Sequence, residues 1–517
     1  MRMTNKIMQN NSLYNINNNK VLQDKLSTQM STQKKITRPS DDPVIAIRAL
    51  RLRTSVSELT QYYGKNAPDA ESWLKVTEDA LGTGASVITD MVKQATKAAN
   101  KDLTVEDLEI ITQQMINLRD EFYSTGNVDY AGRYVFTGYR TDTPLSFTEE
   151  VEELNPQPKY SITEQLTIGD FDTINHTEMS ALEGLNKNNY DEYADANGAS
   201  TVTEQDISNT DIHRIRLAYD ELEEGTAPTI SYSYTDEDGN QQDVSLTATA
   251  AQPGAVPGDD DVLFIPETGE ILLGENVYQS IQDAVTTETE IQITYEKNSW
   301  KDGDLRPEHF FACTATTKND DGSDKVINYN QEYLNGEEES QIIEYDVGYN
   351  QKIRVNTTAR EAFTHNLDRD VDDIQNAMAE LTEISATVAD LETKLKTIDE
   401  THEDYELLTT QLDAANKAYD YVRENVHSLY ENTITRMQNH LDNTNLAVTD
   451  NGTRSSRLAL ISNRLMEQKT TFETLQSENE DVDIAEVAVK LTSTELTYEA
   501  ALMATGKIMQ TSLMNYI

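Results

Sequence analysis

The stretch 481–517, DVDIAEVAVKLTSTELTYEAALMATGKIMQTSLMNYI, decides how this chain is organised. It holds no proline, and Ile484, Val487, Leu491, Tyr498, Leu502, Met509, Leu513 and Tyr516 recur at steps of three, four or seven. That spacing predicts one apolar stripe on a helix running to the last residues. Residues 1–40 carry a looser stripe of Ile7, Leu13, Ile16, Leu22, Leu26 and Met30, which stops at Arg38, Pro39, Ser40, Asp41, Asp42 and Pro43. A lone helix with an apolar seam is marginal in water, so each stripe needs another helix to cover it. Either both ends pack on the protein's own core, or both seams are left for neighbouring copies and the chain is a polymer subunit.

Working inward, the helical period continues. Ile45, Ala49, Leu52, Val56, Leu59 and Tyr63 form one seam, and Ala70, Leu74, Leu81, Ile88, Met91 and Ala98 extend it. A third helix, capped by Thr104 with Asp107 three residues on, carries Leu108, Ile111, Met115, Leu118 and Phe122. From about 132 to 357 the period changes to two. TISYSYTDEDGNQQDVSLTAT, from Thr229, reads as strand, DG turn and strand; DVLFIPETGEILLG, from Asp261, as a second hairpin; EIQITYEK and EYDVGYNQKIRVNT as further strands. The patch 205–224 reads as helix. Helix returns near Ala359, with one seam from Leu367 to Ile398 and another from Tyr405 to Leu429. DETHED, 399–404, is either a hairpin turn or a polar patch in one long helix, because it offers no Gly or Pro. DNG, Asp450–Gly452, reads as a firm stop before a further helix.

The expected fold is therefore mainly α: a coiled-coil helical rod built from both chain ends, with an inserted β-rich domain. The expected divisions are a terminal arm at 1–42, the first half of the rod at 43–135, the outer β domain at 136–357, the second half of the rod at 358–480, and a terminal helix at 481–517. An insertion flanked by helices of one bundle is expected to be removable with a short linker.

Composition narrows the function. Acidic residues number 91 against 42 basic ones, a net charge of -49 over 517 residues. Such a field repels phosphate backbones and anionic lipid, so neither nucleic acid nor membrane is an expected partner. The single cysteine, Cys313, excludes an intramolecular disulfide. The amino end has no apolar h-region, so any secretion is expected to proceed without a cleaved signal peptide. Seven histidines form no HExxH motif and no pair at i, i+4. GTGAS at 82–86 lacks the Lys of a phosphate loop. TDEDGN fails as a calcium loop, since Tyr234 and Ser245 would stand at ligand positions. No catalytic residue, cofactor or metal is assigned, and an enzyme is not expected.

RPSDDPVIAIRALRLR at 38–53, GRYVFTG at 132–138 followed by Pro144 and Phe147, RLALISNRLMEQKTTFETLQSENEDVDIAEV at 457–487, and the closing ALMATGKIMQTSLMNYI together resemble the flagellar hook-associated protein 3 family. These are the hook-filament junction proteins of bacterial flagella, within the flagellin superfamily. The likeness covers about 150 amino-terminal and 65 carboxyl-terminal residues. It implies a flagellin-like rod exported unfolded through the flagellar channel, whose terminal helices pair in the tube core. Its implied partners are itself, hook-associated protein 1, flagellin and a flagellar export chaperone, in the extracellular flagellum. The residues of the two terminal stripes would form the assembly interface. Asp42 as N-cap and Pro43 as first helical residue would start the next helix at a fixed angle. A flagellin-type filament subunit, or a secreted glycan-binding module or enzyme on a flagellar scaffold, are the alternatives. The acidic β middle and the extra helical length around 385–425 depart from short family members.

Overall fold

The computed structural model describes residues 5–514 apart from 192–200, 224, 236–239, 287–288, 320–321 and 336–340. The DG turn expected at 238–239, and Tyr516, lie outside the described residues. Among the described residues the α-helices are α1 Asn5–Thr32, α2 Pro43–Gln61, α3 Ala67–Ala98, α4 Val105–Ser124, α5 Glu275–Ala284, α6 Ala359–Ala362, α7 His365–Leu395, α8 Tyr405–Glu480 and α9 Ile484–Met514. The strands are β1 Asp129–Tyr130, β2 Arg133–Tyr134, β3 Lys159–Leu166, β4 Phe171–Glu178, β5 Ser208–Arg216, β6 Thr229–Thr235, β7 Gln241–Thr247, β8 Thr249–Ala250, β9 Val262–Ile265, β10 Glu270–Leu273, β11 Ile291–Lys297, β12 Ala312–Lys318, β13 Asp324–Tyr329, β14 Glu344–Gly348 and β15 Gln351–Arg354. Helices from both chain ends flank a β-rich insertion, as the periodicity predicts. The chain divides into two units: Met1–Glu71 with Tyr345–Ile353 and Ser456–Ile517, and Ser72–Glu344 with Arg354–Ser455.

In the larger unit the predicted seams are the core. Leu74, Leu81, Ile88 and Met91 of α3, Leu108, Met115 and Phe122 of α4, Leu367, Val371 and Ile374 of α7, and Val422 and Val426 of α8 are buried, and Tyr430, which the predicted seam does not include, is buried in place of half-buried Leu429. Each such side chain contributes about 1.5–3 kcal/mol on leaving water. Tyr430 closes the layer with a 2.7 Å hydrogen bond to the Thr112 hydroxyl. The capping box of Thr104 and Asp107 starts α4, as expected.

The insertion leaves and rejoins the helices at adjacent points, where the Ala359 amide donates to the Phe136 carbonyl at 2.7 Å. It holds a six-stranded sheet, β13-β12-β3-β11-β6-β7, and a five-stranded sheet, β4-β5-β10-β9-β8. Both contribute to a core that includes Ile162, Ile215, Ile230, Phe264, Ile293 and Trp300. The hairpins β6–β7 and β9–β10 pair antiparallel in the expected places.

Two local expectations are corrected and one open alternative is resolved. The patch expected as helix at 205–224 has no α-helix among its described residues: β5 runs over Ser208–Arg216 and pairs with both β4 and β10, so two ladders outweigh local propensity. DNG does not stop a helix. α8 passes through it because Asn451 is buried and its Nδ2 donates to the Leu74 carbonyl at 2.9 Å, a contact set against about 1 kcal/mol for the glycine. At 396–404 the chain turns, with Thr397 N bonded to Lys394 O at 2.9 Å, so α7 and α8 are separate helices. In GRYVFTG the strand is only Arg133–Tyr134; Phe136 is buried against Phe363, while Tyr134 is half-buried.

Candidate assembly interface

In the smaller unit α1 and α9 lie side by side and antiparallel. Lys34 bridges to Asp481, while about three turns along α1 and four along α9 the Gln23 amide reaches Glu495 at 3.5 Å. The Asn-rich run 10–19, whose composition disfavours helix, lies within α1. Asp483 starts α9 by accepting from the amides of Ala485 at 2.9 Å and Glu486 at 3.2 Å. Beyond α1 the backbone reverses at Gln33, with φ +58°, and two hydrogen bonds tie the chain ends: Lys35 N to Glu480 O at 2.7 Å and Val482 N to Gln33 O at 3.1 Å.

A polar clasp seals this end. Glu480 is 3% exposed and receives Arg53 through Nε at 2.7 Å and Nη2 at 2.5 Å. Lys34 lies 3.5 Å from Glu480 and 2.5 Å from Asp481. The Arg53 hydrogen bond is the first reason that the Glu480 carboxyl sits below its ordinary range, with Lys34 adding to it and burial opposing. A bidentate guanidinium–carboxylate pair fixes geometry as well as charge.

Along the pair the predicted stripes divide. Leu26 and Val487 are buried, and Ile16, Leu491 and Tyr498 are half-buried. Ile7, Leu13, Ile484 and Leu502 are 48, 56, 46 and 45% exposed, and Val21, Val489, Leu496 and Met503 point outward beside them. Met509 and Leu513 belong to α9, in the part whose side chains the structure does not describe. Two helices thus cover only part of each other's apolar surface, and the remainder is exposed.

The linker motif is built as its residues predict. Asp41 Oδ2 accepts from the amides of Thr37 at 3.2 Å and Arg38 at 2.9 Å, closing the loop around exposed Pro39 and Ser40. Those bonds, Arg38 first, hold the Asp41 carboxyl below the usual range. Asp42 Oδ1 accepts from Val44 and Ile45 at 3.0 and 3.2 Å, with Pro43 opening α2. Sequence reasoning missed the outer face of this helix: opposite the seam, Val44, Ile47 and Leu50 form a second exposed apolar row on α2. It also missed the anchoring of hairpin β14–β15, where Asn66 Nδ2 donates to Asp346 O at 2.7 Å and Tyr345 bonds Asp69.

The larger unit holds a different construction, a buried ionic joint between insertion and helices. Arg214 Nη2 meets Asp373 at 2.6 Å, and Arg216 meets Asp373 at 2.7 Å and Asp370 at 2.8 Å. Arg436 spans Asp172 at 2.7 Å and Asp370 at 3.0 Å, and His440 Nε2 lies 2.9 Å from Asp370. Burial alone would raise the Asp373 carboxyl, but Arg214 and Arg216 outweigh it and hold it well below the usual carboxylate range. Nothing in the sequence singles out these carboxylates among so many others. Each of the three aspartates is paired with at least two arginines, which fastens the insertion to the helices. Among the described residues no group of His, Cys, Asp or Glu has the arrangement of a metal site, and no helix is long and apolar enough to cross a membrane.

Comparison with known proteins agrees with the sequence resemblance. The bacterial flagellin N-terminal helical region matches residues 3–141. Flagellar hook-associated protein 3 of Salmonella typhimurium (strain LT2) is 27% identical over 189 residues, 36% of this chain and 59% of that protein. The same-named protein of Escherichia coli (strain K12) is 28% identical over 194 residues, again 36% and 59%. The match thus spans somewhat over half the length of these curated relatives. Among solved structures, a putative flagellar hook-associated protein from Vibrio parahaemolyticus aligns over 85% of this chain and 100% of its own at 12% identity and a TM-score of 0.33. The flagellar junction protein FlgL from Legionella pneumophila aligns over 80% and 99% at 11% identity and a TM-score of 0.24. The sequence matches, and not these superpositions, carry the relationship to hook-associated protein 3 and the flagellin superfamily.

Proposed function

We propose that this chain is a structural subunit of the bacterial flagellum that forms the junction ring between hook and filament after export through the flagellar channel. The observation that carries the proposal is the α1–α9 pair: the two chain ends are joined to each other and clasped at Glu480, yet leave Ile7, Leu13, Ile484 and Leu502 uncovered. Neighbouring copies cover that face, with Ile16, Leu26, Val487, Leu491, Tyr498, Met509 and Leu513 completing the stripes. Hook-associated protein 1 on one side and flagellin on the other are the partners of the ring, and an export chaperone holds the apolar ends beforehand. The rod at 43–135 and 358–480 packs between subunits, and the β domain at 136–357 projects. The protein does no chemistry in this reading.

The test replaces Leu502, Met509 and Leu513 by Asp. Each charge on a packed apolar face costs several kcal/mol. Cells with the triple variant are expected to build hooks, lose filaments and release flagellin into the medium, while the purified variant keeps the melting of its larger unit. Normal swimming with the variant incorporated overturns the proposal. The flagellin-region match also suits a bulk filament subunit; that reading wins if the chain makes up most of the mass of sheared filaments.

A further inference from the structure

In the six-stranded sheet β7 is the terminal strand, and the face of β6–β7 is only partly covered by α5. α5 sends Ile281 into the core and leaves Val277 half-buried, so helix and hairpin are the two walls of an open groove of about 760 Å³. On its floor Tyr232 and Tyr234, two residues apart on one strand face, hold their rings 6.4 Å apart and inclined by 32°. Tyr232 is 7% exposed and Tyr234 is half-buried, so the outer ring borders the groove and the inner one belongs to the core beneath it. The rim is made of short polar side chains: Ser280 and Asp283 of α5, without hydrogen-bond partners among the described residues, and Asp260, held at 2.9 Å by Asn276.

The geometry points to this groove as a binding site for a neutral oligosaccharide, a role independent of assembly through the terminal helices. A sugar ring presents an apolar C–H face and a girdle of hydroxyls that both donate and accept. The partly exposed Tyr234 ring suits a C–H face, and carboxylate, amide and hydroxyl side chains suit the girdle. Among the described residues no Lys or Arg lines the groove, and the two aspartates repel phosphate, sulfate and acidic sugars. An apolar peptide side chain would need a closed pocket, and this groove is open along its length.

The experiment titrates the purified full-length chain with neutral malto-, cello- and chito-oligosaccharides, read by saturation-transfer NMR and calorimetry. At least one series is expected to bind with Kd below about 10 mM. Tyr234→Ala weakens it by about tenfold or more, Tyr234→Phe keeps it within about threefold, and Ser280→Trp, on the exposed side of α5, blocks it. Circular dichroism confirms that each variant retains its sheet. The proposal is overturned if no series binds, if Ser280→Trp leaves binding unchanged, or if the groove takes only a lysine-rich peptide.

Discussion

The two interfaces of this chain are built in opposite ways. In the larger unit the insertion is fastened to α7 and α8 by charged groups that are almost wholly buried, with Arg214, Arg216, Asp370 and Asp373 each bonded more than once. In the smaller unit the terminal helices meet through an apolar seam that is half uncovered and a polar clasp whose cations, Lys34 and Arg53, face solvent. A buried ion pair contributes little net stability but punishes the loss of either member severely, whereas an exposed one does neither. The joint between insertion and helices is thus made of partners that cannot be lost singly, and the surface proposed to meet other molecules is left apolar.

Removing the insertion tests this contrast most strongly. Its ends meet at Phe136 and Ala359, so a short linker can close the gap, as the sequence reading expects. The deletion nevertheless takes away two of the three arginine partners of Asp373, leaving only Arg436 at 3.7 Å, and the Leu217 and Thr268 carbonyls that bind Arg369. Stranding each buried charge costs about 3–5 kcal/mol, against a typical total stability of about 5–15 kcal/mol. A chain lacking 140–355 is therefore expected to lose cooperative helix melting, contrary to the simpler expectation; a sharp transition by circular dichroism would show the helices to be autonomous. Asp373→Ala alone is expected to destabilise by about 3–5 kcal/mol in denaturant titration, and an Arg214→Met, Asp373→Leu pair to recover much of it.

Acidity gives a smaller effect with a reversal of sign. Burial pushes the Glu164 carboxyl up to about 7, with Tyr295 and the Ala218 amide only partly offsetting it, and burial followed by Asp368 pushes Asp372 up. These groups bind protons more tightly folded than unfolded, so the stability they contribute is present below about pH 4 and is lost as pH rises towards 7. Asp373, held low, acts in the other direction below pH 4. Stability is expected to rise from pH 8 to pH 5 and then fall on further acidification, and a melting temperature unchanged between 8 and 5 would exclude this account. Smallest is the clasp. Glu480→Ala is expected to cost about 1 kcal/mol or less, to speed amide exchange and proteolysis in α1 and α9, and to leave the melting of the larger unit unchanged.

Legibility in the sequence followed the same division. Period alone located the helical seams, the hairpins and the terminal stripes, because each rests on a local repeat. It failed where distant partners decide: at Asn451, held by Leu74; at β5, held by two other strands; and at α5, a helix within a region of strand period. The stripes told which residues are apolar but not which are covered, since Leu26 and Leu13 differ only in what stands opposite. Asp373 was invisible among 91 acidic residues.

The clasp also has a consequence in time. Gln23 and Glu495 are separated by 472 positions, and the loop between them contains every other element of the fold. Closing so long a loop is entropically costly, so the pair forms after the elements whose partners are nearby. A chain that has formed only one of the two helices leaves that helix without its partner, so the α1–α9 pair reports that both have been made and brought together.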